Sequence, residues 1–328
     1  MKKKHILLLA CPKCGCNLKL KIVKKQKEEI IEGSLFCKEC KKSFEIKNGI
    51  PLVYHDSSVT DQHKVKEMFN ETPYGLVGMR DALKNRNKIS IRTINKSPWY
   101  IREDDVKGKL MLEAGCGGGH LYTELSLLGA EVIGLDQTPN SLLNIKKLHS
   151  EYGLSPQLVQ GNIEFLPVKE NSFDIVTSMG VIHHTPDTQK SLNNLARTVK
   201  RGGNIHLMLY HKNSVWNYVK NTLRFLCRRS KLFSKLIFKL TPLWMGETRS
   251  QSNAKTVFRD NMVNAITKSF SESELRRMAK KAGLRVEFVS KYEIVELYCF
   301  GKKVYQSPLL RWYEKRFGWF LYAKLKKI

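Results

Sequence analysis

With 328 residues, 42% of them hydrophobic, the chain is long enough for one large core and a small appended module. No apolar run approaches the ~20 residues of a membrane-spanning helix, which argues against a helical span. The formal net charge of +27 is uneven, with +8 on residues 1–55, +1 on 56–211 and +18 on 212–328. The flanks therefore favour anionic partners, whether RNA, acidic lipid or a phosphorylated small molecule. A lysine-rich proteome would give the same excess with no partner.

The run Met1 to Cys11 imitates a lipoprotein export signal, with a basic start and Leu-Leu-Ala-Cys at its end. Its apolar stretch, Ile6 to Ala10, is shorter than the ~7–15 residues such a signal needs. It reads as a first strand, and the chain as cytoplasmic. Cys11-Pro-Lys-Cys14 and Cys37-Lys-Glu-Cys40 are two C-x2-C pairs 22 residues apart. Four thiolates at tetrahedral distance form a closed, structural zinc site. Two disulfides are the alternative, disfavoured in a cytosolic chain. Strand-like segments cover 18–23, 33–36 and 44–46. A module of this size, residues 1–55, has too little core to stand alone, so metal would supply much of its folding energy. Cys16 is a neighbour of the ligands.

Residues 56–107 form a polar linker with two predicted helices, 61–69 and 80–94, divided by Pro73, Gly75 and Gly78. From 108 to 328 strands and helices alternate. Strands are predicted at 109–113, 131–135, 157–160, 173–178 and 203–210, and helices at 120–128, 139–150 and 187–199. This alternation means α/β architecture, a parallel sheet with helices on both faces. The first strand ends in Glu113 and breaks into Gly115, Gly117, Gly118 and Gly119, where only glycine lets a backbone approach a ligand closely. The second ends in Asp136, placed to accept both hydroxyls of an adenosine ribose. A dinucleotide would need G-x-G-x-x-G, and His120 stands where its last glycine belongs.

Glu113-Ala-Gly-Cys-Gly-Gly-Gly119 resembles motif I of class I S-adenosylmethionine-dependent methyltransferases. The segments 161–167, 172–176, 180–185 and 197–203 resemble, in order, the remaining motifs of the subfamily that includes quinone-biosynthesis methyltransferases. The resemblance implies a Rossmann-like, seven-stranded sheet, mostly parallel with the last strand reversed, closed by 284–289 and 319–326. The small N-terminal zinc ribbon resembles the activator subunit that partners tRNA and protein methyltransferases, including Lys47-Asn-Gly-Ile-Pro-Leu-Val53. Its zinc, with ligands Cys11, Cys14, Cys37 and Cys40, would be structural.

The resemblance further implies that Glu113, Ala114, Gly115, Gly117 and Gly119 hold the methionyl part of S-adenosylmethionine. Asp136 would take the ribose, and Gln137, Asn162, Ile163 and Met179 would border the rest of the cofactor. Asn162 replaces the usual aspartate, so its contact with the adenine amino group would be weaker. The segment before motif I would fold over the cofactor, making Phe69, Tyr74, Trp99 and Tyr100 pocket or packing residues. Methyl transfer from a sulfonium is an in-line displacement that needs alignment and, for a protonated nucleophile, a base. His183, His184, Tyr210 and His211 are the candidates for that role. Enzymes that methylate exocyclic base amines typically carry an Asn/Asp-Pro-Pro-aromatic turn after the fourth strand. Here that place reads Ser178-Met-Gly-Val-Ile-His183.

Residues 212–283 form a substrate-side insertion after the fifth strand. From Lys220 to Lys239 basic residues recur every three or four positions, with leucines and phenylalanines opposite. Such a helix suits a lid, a membrane surface contacted peripherally, or a phosphate backbone. Asp260 and Asn261, ahead of a Ser271/Glu274 capping box, are candidates for polar substrate contact. The leading expectation is a methyltransferase acting on a small, lipid-linked or anionic molecule. The alternatives are an RNA methyltransferase and a non-catalytic, cofactor-binding partner subunit.

Overall fold

The computed structural model describes residues 1–56, 59–72, 76–86, 101, 103–244, 255, 257–292, 298–299, 302–303 and 308–328. Pro73, Tyr74, Gly75, Trp99 and Tyr100 lie outside the described residues, as does most of the second half of the predicted 80–94 helix.

The amino-terminal part contains α1 (Lys3–Ile6), β1 (Leu18–Gln26), β2 (Glu29–Cys37), β3 (Ser43–Lys47) and β4 (Ile50–Pro51). These strands form an antiparallel sheet in chain order. The predicted first strand is instead the single helical turn α1, followed by isolated bridges from Leu9 to Val168 and Ala10 to Asn17. The extended part begins only where Ala10 N–H reaches Pro167 O (3.0 Å) and Lys169 N–H reaches Leu8 O (2.9 Å). Pairing to a distant segment decides the conformation there, and a five-residue apolar run cannot report it.

Two linker helices follow, α2 (Thr60–Glu71) and α3 (Leu76–Lys84), then the short α4 (Glu103–Val106). The main sheet uses β5 (Leu110–Ala114), β6 (Glu131–Asp136), β7 (Gln157–Gln160), β8 (Phe173–Met179) and β9 (Val199–Tyr210). Helices α5 (His120–Leu127), α6 (Pro139–Glu151) and α7 (Thr188–Thr198) connect them. The insertion holds α8 (Val215–Arg229) and α9 (Lys231–Trp244), followed by α10 (Glu272–Lys281) and β10 (Leu284–Tyr292). A two-residue pair, β11 (Tyr298–Cys299) with β12 (Lys302–Lys303), then α11 (Pro308–Phe317) and β13 (Phe320–Lys327) complete the chain.

The seven-stranded sheet runs β10-β13-β9-β8-β5-β6-β7. Its strands β9, β8, β5, β6 and β7 are mutually parallel, and β13 lies antiparallel between β9 and β10. Met111, Leu112, Ile133, Val159 and Val176 are buried, as expected for strands covered on both faces. The aromatic, basic C-terminus is this closing strand: Leu321, Ala323 and Leu325 are fully buried in it. The chain leaves β5 towards β6 on one side and reaches β8 on the other, so their carboxyl ends form the switch point at which ligands bind in open α/β sheets.

The amino-terminal sheet shares the core of the main one. Leu9, Leu35 and Val53 belong to one buried cluster with Leu135, Val159 and Val168. Leu52 bridges Gln160 in parallel, which seats the β4 end on the outer edge of β7. His5 hydrogen-bonds Gln157 (2.8 Å) and lies 2.6 Å from a Glu131 carboxylate oxygen.

The single helix expected between Lys220 and Lys239 is two helices. Ser230 takes extended backbone angles (φ −133°, ψ 114°), and its hydroxyl accepts from Phe233 N–H (3.2 Å). Serine favours such an N-cap over a helix interior.

Candidate functional site

The glycine loop between β5 and α5 is built as its sequence requires. Gly115 (φ 90°), Gly117 (φ 49°) and Gly119 (φ 82°) all take left-handed conformations. A Cβ at Gly115 would lie 2.4 Å from a Val181 methyl, so the turn after β8 presses directly on the loop. Gly115 and Cys116 donate to Leu135 O, at 2.7 and 3.0 Å.

Two acids face this loop. Asp136 Oδ2 accepts from Gly117 N–H (2.8 Å), and Oδ1 accepts from Thr138 N–H (2.9 Å) and its hydroxyl (2.7 Å). A carboxylate offers about four acceptor positions, so Oδ2 keeps capacity for a further donor. Burial raises the Asp136 pKa against these hydrogen bonds. Glu113 is buried, and its Oε2 has no hydrogen-bond partner. Burial, then the charges of Asp136 and Glu124, pushes its carboxyl well above the ordinary range. An orphaned acid beside a glycine loop lacks a cation, and the amino group of a methionyl moiety fits that need.

The remaining cofactor candidates lie at or just past the carboxyl ends of the same strands. The Ala114 carbonyl accepts from the Ser178 hydroxyl (3.0 Å), and Met179 is half-buried at the end of β8. Gln137 is half-buried, and its carbonyl accepts from Gln160 (3.1 Å). Ile163 is buried and opens the one-turn helix Ile163–Phe165. Asn162 caps that turn: its Oδ1 accepts from Glu164 N–H (3.0 Å) and Gln62 Nε2 (3.3 Å), while Nδ2 donates to His55 O (3.2 Å). Its oxygen is therefore already engaged by two donors. Beside it Gln62 Oε1, on α2, is buried with no donor. Sequence reasoning missed Gln62 because it lies a hundred residues away in a polar helix.

Past β8 and β9, seven side chains meet. The ring centroid of His183 lies 4.2 Å from that of His184 and 4.1 Å from that of Tyr210. Tyr210 donates its hydroxyl hydrogen to Asp260 Oδ2 (2.6 Å), and His184 Nε2 is 3.2 Å from Asp260 Oδ1. The other ring nitrogen of His184 is 2.8 Å from Ile266 O and 3.1 Å from the Asn264 amide nitrogen. Phe69 packs on the same histidine, with ring centroids 5.7 Å apart. Lys220, only 1% exposed, places Nζ 4.5 Å from the centre of the Tyr210 ring, and burial lowers its pKa to about 8.

Burial lowers the pKa of His184 although Asp260 and Ile266 O favour its charged form. At neutral pH the ring is neutral, yet the acceptors for a second N–H already stand at both nitrogens. His183 is fully buried with neither ring nitrogen partnered, and burial and the charges of His184 and Lys220 drive its pKa well down.

His211 is separated from this group. Its ring hydrogen-bonds Gly318 O (2.9 Å), and successive residues of a strand face opposite sides of the sheet. Asp260, expected on a loop, lies in the helical turn Arg259–Val263. Lys220, expected on an outward basic face, points inward. With Asn217 and Arg224 it forms a polar stripe at intervals of three and four, the one sequence signal that marks it.

At the other end of the chain, the sulfurs of Cys11, Cys14, Cys37 and Cys40 all lie within 4.8 Å of one another. Cys40 N–H donates to Cys37 Sγ (3.4 Å). Cys16 stands outside the group, its thiol 3.9 Å from Cys14 O.

Comparison with known proteins agrees with this geometry. Residues 112–207 match the family profile described as "Methyltransferase domain". A ubiquinone biosynthesis O-methyltransferase of Proteus mirabilis is 31% identical over 157 residues, 47% of this chain and 62% of that protein. The protein of the same name from Coxiella burnetii is 37% identical over 116 residues, 35% of this chain and 49% of its own length. The alignments thus span about half to three-fifths of these relatives. Among solved structures, the complex between a Haloferax volcanii methyltransferase activator and a candidate methyltransferase aligns with a TM-score of 0.50 at 15% identity. The alignment covers 80% of this chain and 96% of that one. At that identity the likeness speaks for the fold. The match marks residues 112–207 as a methyltransferase domain, and the glycine loop with its two acids and the order of the seven strands give it the fold of the class I S-adenosylmethionine-dependent kind.

Proposed function

We propose that the protein transfers a methyl group from S-adenosylmethionine to a small anionic or lipid-linked molecule, with the His184–Asp260 pair taking up the acceptor's proton. The observation that carries this reading is the unpartnered Glu113 Oε2 beside a glycine loop on which Val181 presses, the residue that caps the turn holding His184. When bound, S-adenosylmethionine supplies a methyl group already activated for in-line displacement. Glu113 holds the amino group, Asp136 Oδ2 accepts from a ribose hydroxyl, and Gln62 Oε1, in place of Asn162, accepts from the adenine amino group.

The relatives named as O-methyltransferases favour an oxygen acceptor, which must lose a proton. Neutral His184 can take it, and the resulting N–H groups find Asp260 Oδ1 and Ile266 O in position. Tyr210 orients Asp260 through the second carboxylate oxygen. Lys220 adds positive charge beside the acceptor, which suits an anionic or phenolic molecule.

In this reading residues 1–55 form the metal module, 56–107 the cap and 108–328 the catalytic domain with its 212–283 insertion. The four cysteine sulfurs suit a tetrahedral zinc ion, which would stabilise the fold without open coordination positions. Because the ribbon shares its core with the main sheet, Cys37→Ser should cost several kcal/mol and lower the melting temperature by roughly 10 °C. Zinc content measured with the melting curve checks this. A metal-free wild type that melts at the same temperature would remove the assignment.

The functional test is incubation of pure protein and host extract with methyl-labelled S-adenosylmethionine, followed by separation into RNA, lipid and small-molecule fractions. Label in lipid or small molecules is the expected result, and label confined to RNA would overturn it.

A further inference from the structure

The helix α8 turns apolar side chains both ways: Leu223 and Cys227 pack on Ile237, Phe258 and Met262, while a second apolar set faces outward. On a surface helix of a globular protein the apolar stripe ordinarily faces the core and the polar one faces water. Here Lys220 is buried beside Tyr210 and Asn217 is buried against Lys212 and Ser269, while Val215, Tyr218, Val219, Phe225 and Leu226 are exposed. Tyr218 and Val219 lie three and four residues after Val215, and Phe225 and Leu226 lie seven after Tyr218 and Val219, so the five share one outward face. On α9 the exposed arc alternates bases with apolar residues: Lys231, Leu232, Lys235, Leu236, Phe238 and Lys239. Leu232 is 80% exposed and Tyr218 64%. Eight of the eighteen exposed large apolar side chains among the described residues fall on these two helices. Residues 215–244 contain seven basic residues and no acidic one. On α8 the Arg229 guanidinium lies 4.3 Å from the centre of the exposed Phe225 ring, so charge and apolar surface are mixed on one face.

We propose that the outer face of α8 and α9 lies on an anionic lipid bilayer surface, its apolar side chains inserted between headgroups and its lysines and arginines among the lipid charges. An aqueous environment does not account for an apolar stripe turned outward while a lysine is buried beneath it. A second protein surface would account for the stripe, but interleaved cations with no acidic residue require a dense, extended negative field, which lipid headgroups provide. No helix among the described residues is long and apolar enough to cross a membrane, so the contact is interfacial. Because the reverse face of α8 carries Lys220 into the site, docking sets that site beside the membrane plane. This deepens the proposed function by favouring a lipid-linked acceptor, and it rests on that reading only for the chemistry.

The test is flotation of the full chain with vesicles of phosphatidylcholine alone, and with about one-third phosphatidylglycerol, at low and high salt. The wild type should float with the anionic vesicles, keep a salt-resistant fraction, and stay behind with phosphatidylcholine. The triple variant Phe225→Ser, Leu232→Ser, Leu236→Ser leaves the charge unchanged and alters only exposed side chains. It should bind anionic vesicles about tenfold more weakly or worse, with an unchanged melting curve. Wild type that ignores anionic vesicles, or a variant that binds them equally well, would overturn the proposal. Lipid-free self-association that the serines abolish would give the face to a second copy. RNA that displaces the protein from vesicles with no effect of the serines would give it to nucleic acid. S-adenosylmethionine affinity, measured on the same samples, reports separately on the methyltransferase reading.

Discussion

Asp260→Asn is expected to lower the rate of methyl transfer by about 10²–10³-fold, within the range for loss of a positioned acid–base group. The amide cannot stabilise a protonated His184, and it cannot hold Tyr210 as an anionic acceptor does. The pH profile separates this role from a structural one. Burial sets the His184 pKa below 6.5, so activity should be full at neutral pH and fall as the pH drops through that lowered value. Asp260 raises the His184 pKa in the native protein, so its removal should shift the acid limb to still lower pH. His184→Asn should remove the limb altogether. These profiles are measured with the acceptor fraction that the labelling experiment identifies. A variant within about threefold of the wild-type rate, or an unmoved acid limb, would leave the base elsewhere, with the unpartnered His183 next in line.

The second large effect is expected at Asp136. Losing the hydrogen bond that a ribose hydroxyl donates to the free position on Asp136 Oδ2, about 1.5–3 kcal/mol, should weaken S-adenosylmethionine binding to Asp136→Ala by roughly 10–100-fold. The structure adds a complication. Asp136 also holds Gly117 N–H and the backbone and hydroxyl of Thr138, so alanine would loosen the glycine loop as well. Thr138→Val provides the comparison, because it removes one of these supports and spares the carboxylate. Titration calorimetry on both variants, with melting curves, should show a severe loss for Asp136→Ala and only a few-fold loss for Thr138→Val. Equal losses would mean that Asp136 acts by bracing the loop, and near-normal binding by Asp136→Ala would remove the ribose assignment.

The parts of this protein that were legible in the sequence share a short range. A strand of Leu-Met-Leu followed by glycines and a helix is specified within a dozen residues, and the positive φ angles at Gly115, Gly117 and Gly119 follow from residue type alone. The reversal of the last strand was legible too, through alternation in 319–326 together with the family resemblance. The cysteine pairs converge as their spacing requires. The catalytic candidates were less legible because period and direction differ. Tyr210 and His211 are adjacent in sequence, yet only Tyr210 faces His183 and His184. Asn162 stands at the expected place, but its oxygen is taken by Gln62 and by its own helical turn.

By itself the sequence determined the glycine loop, the two strand-end acids, the alternation that makes the sheet, and the four thiols, since each depends on local backbone preference or fixed spacing. The tertiary structure alone decided that Asp260 meets His184 and Tyr210 across fifty to eighty residues. It also decided that Lys220 turns inward while Tyr218, Phe225 and Leu226 of the same helix turn out. Periodicity identifies the two faces of a helix, but only packing against the rest of the chain settles which of them is buried.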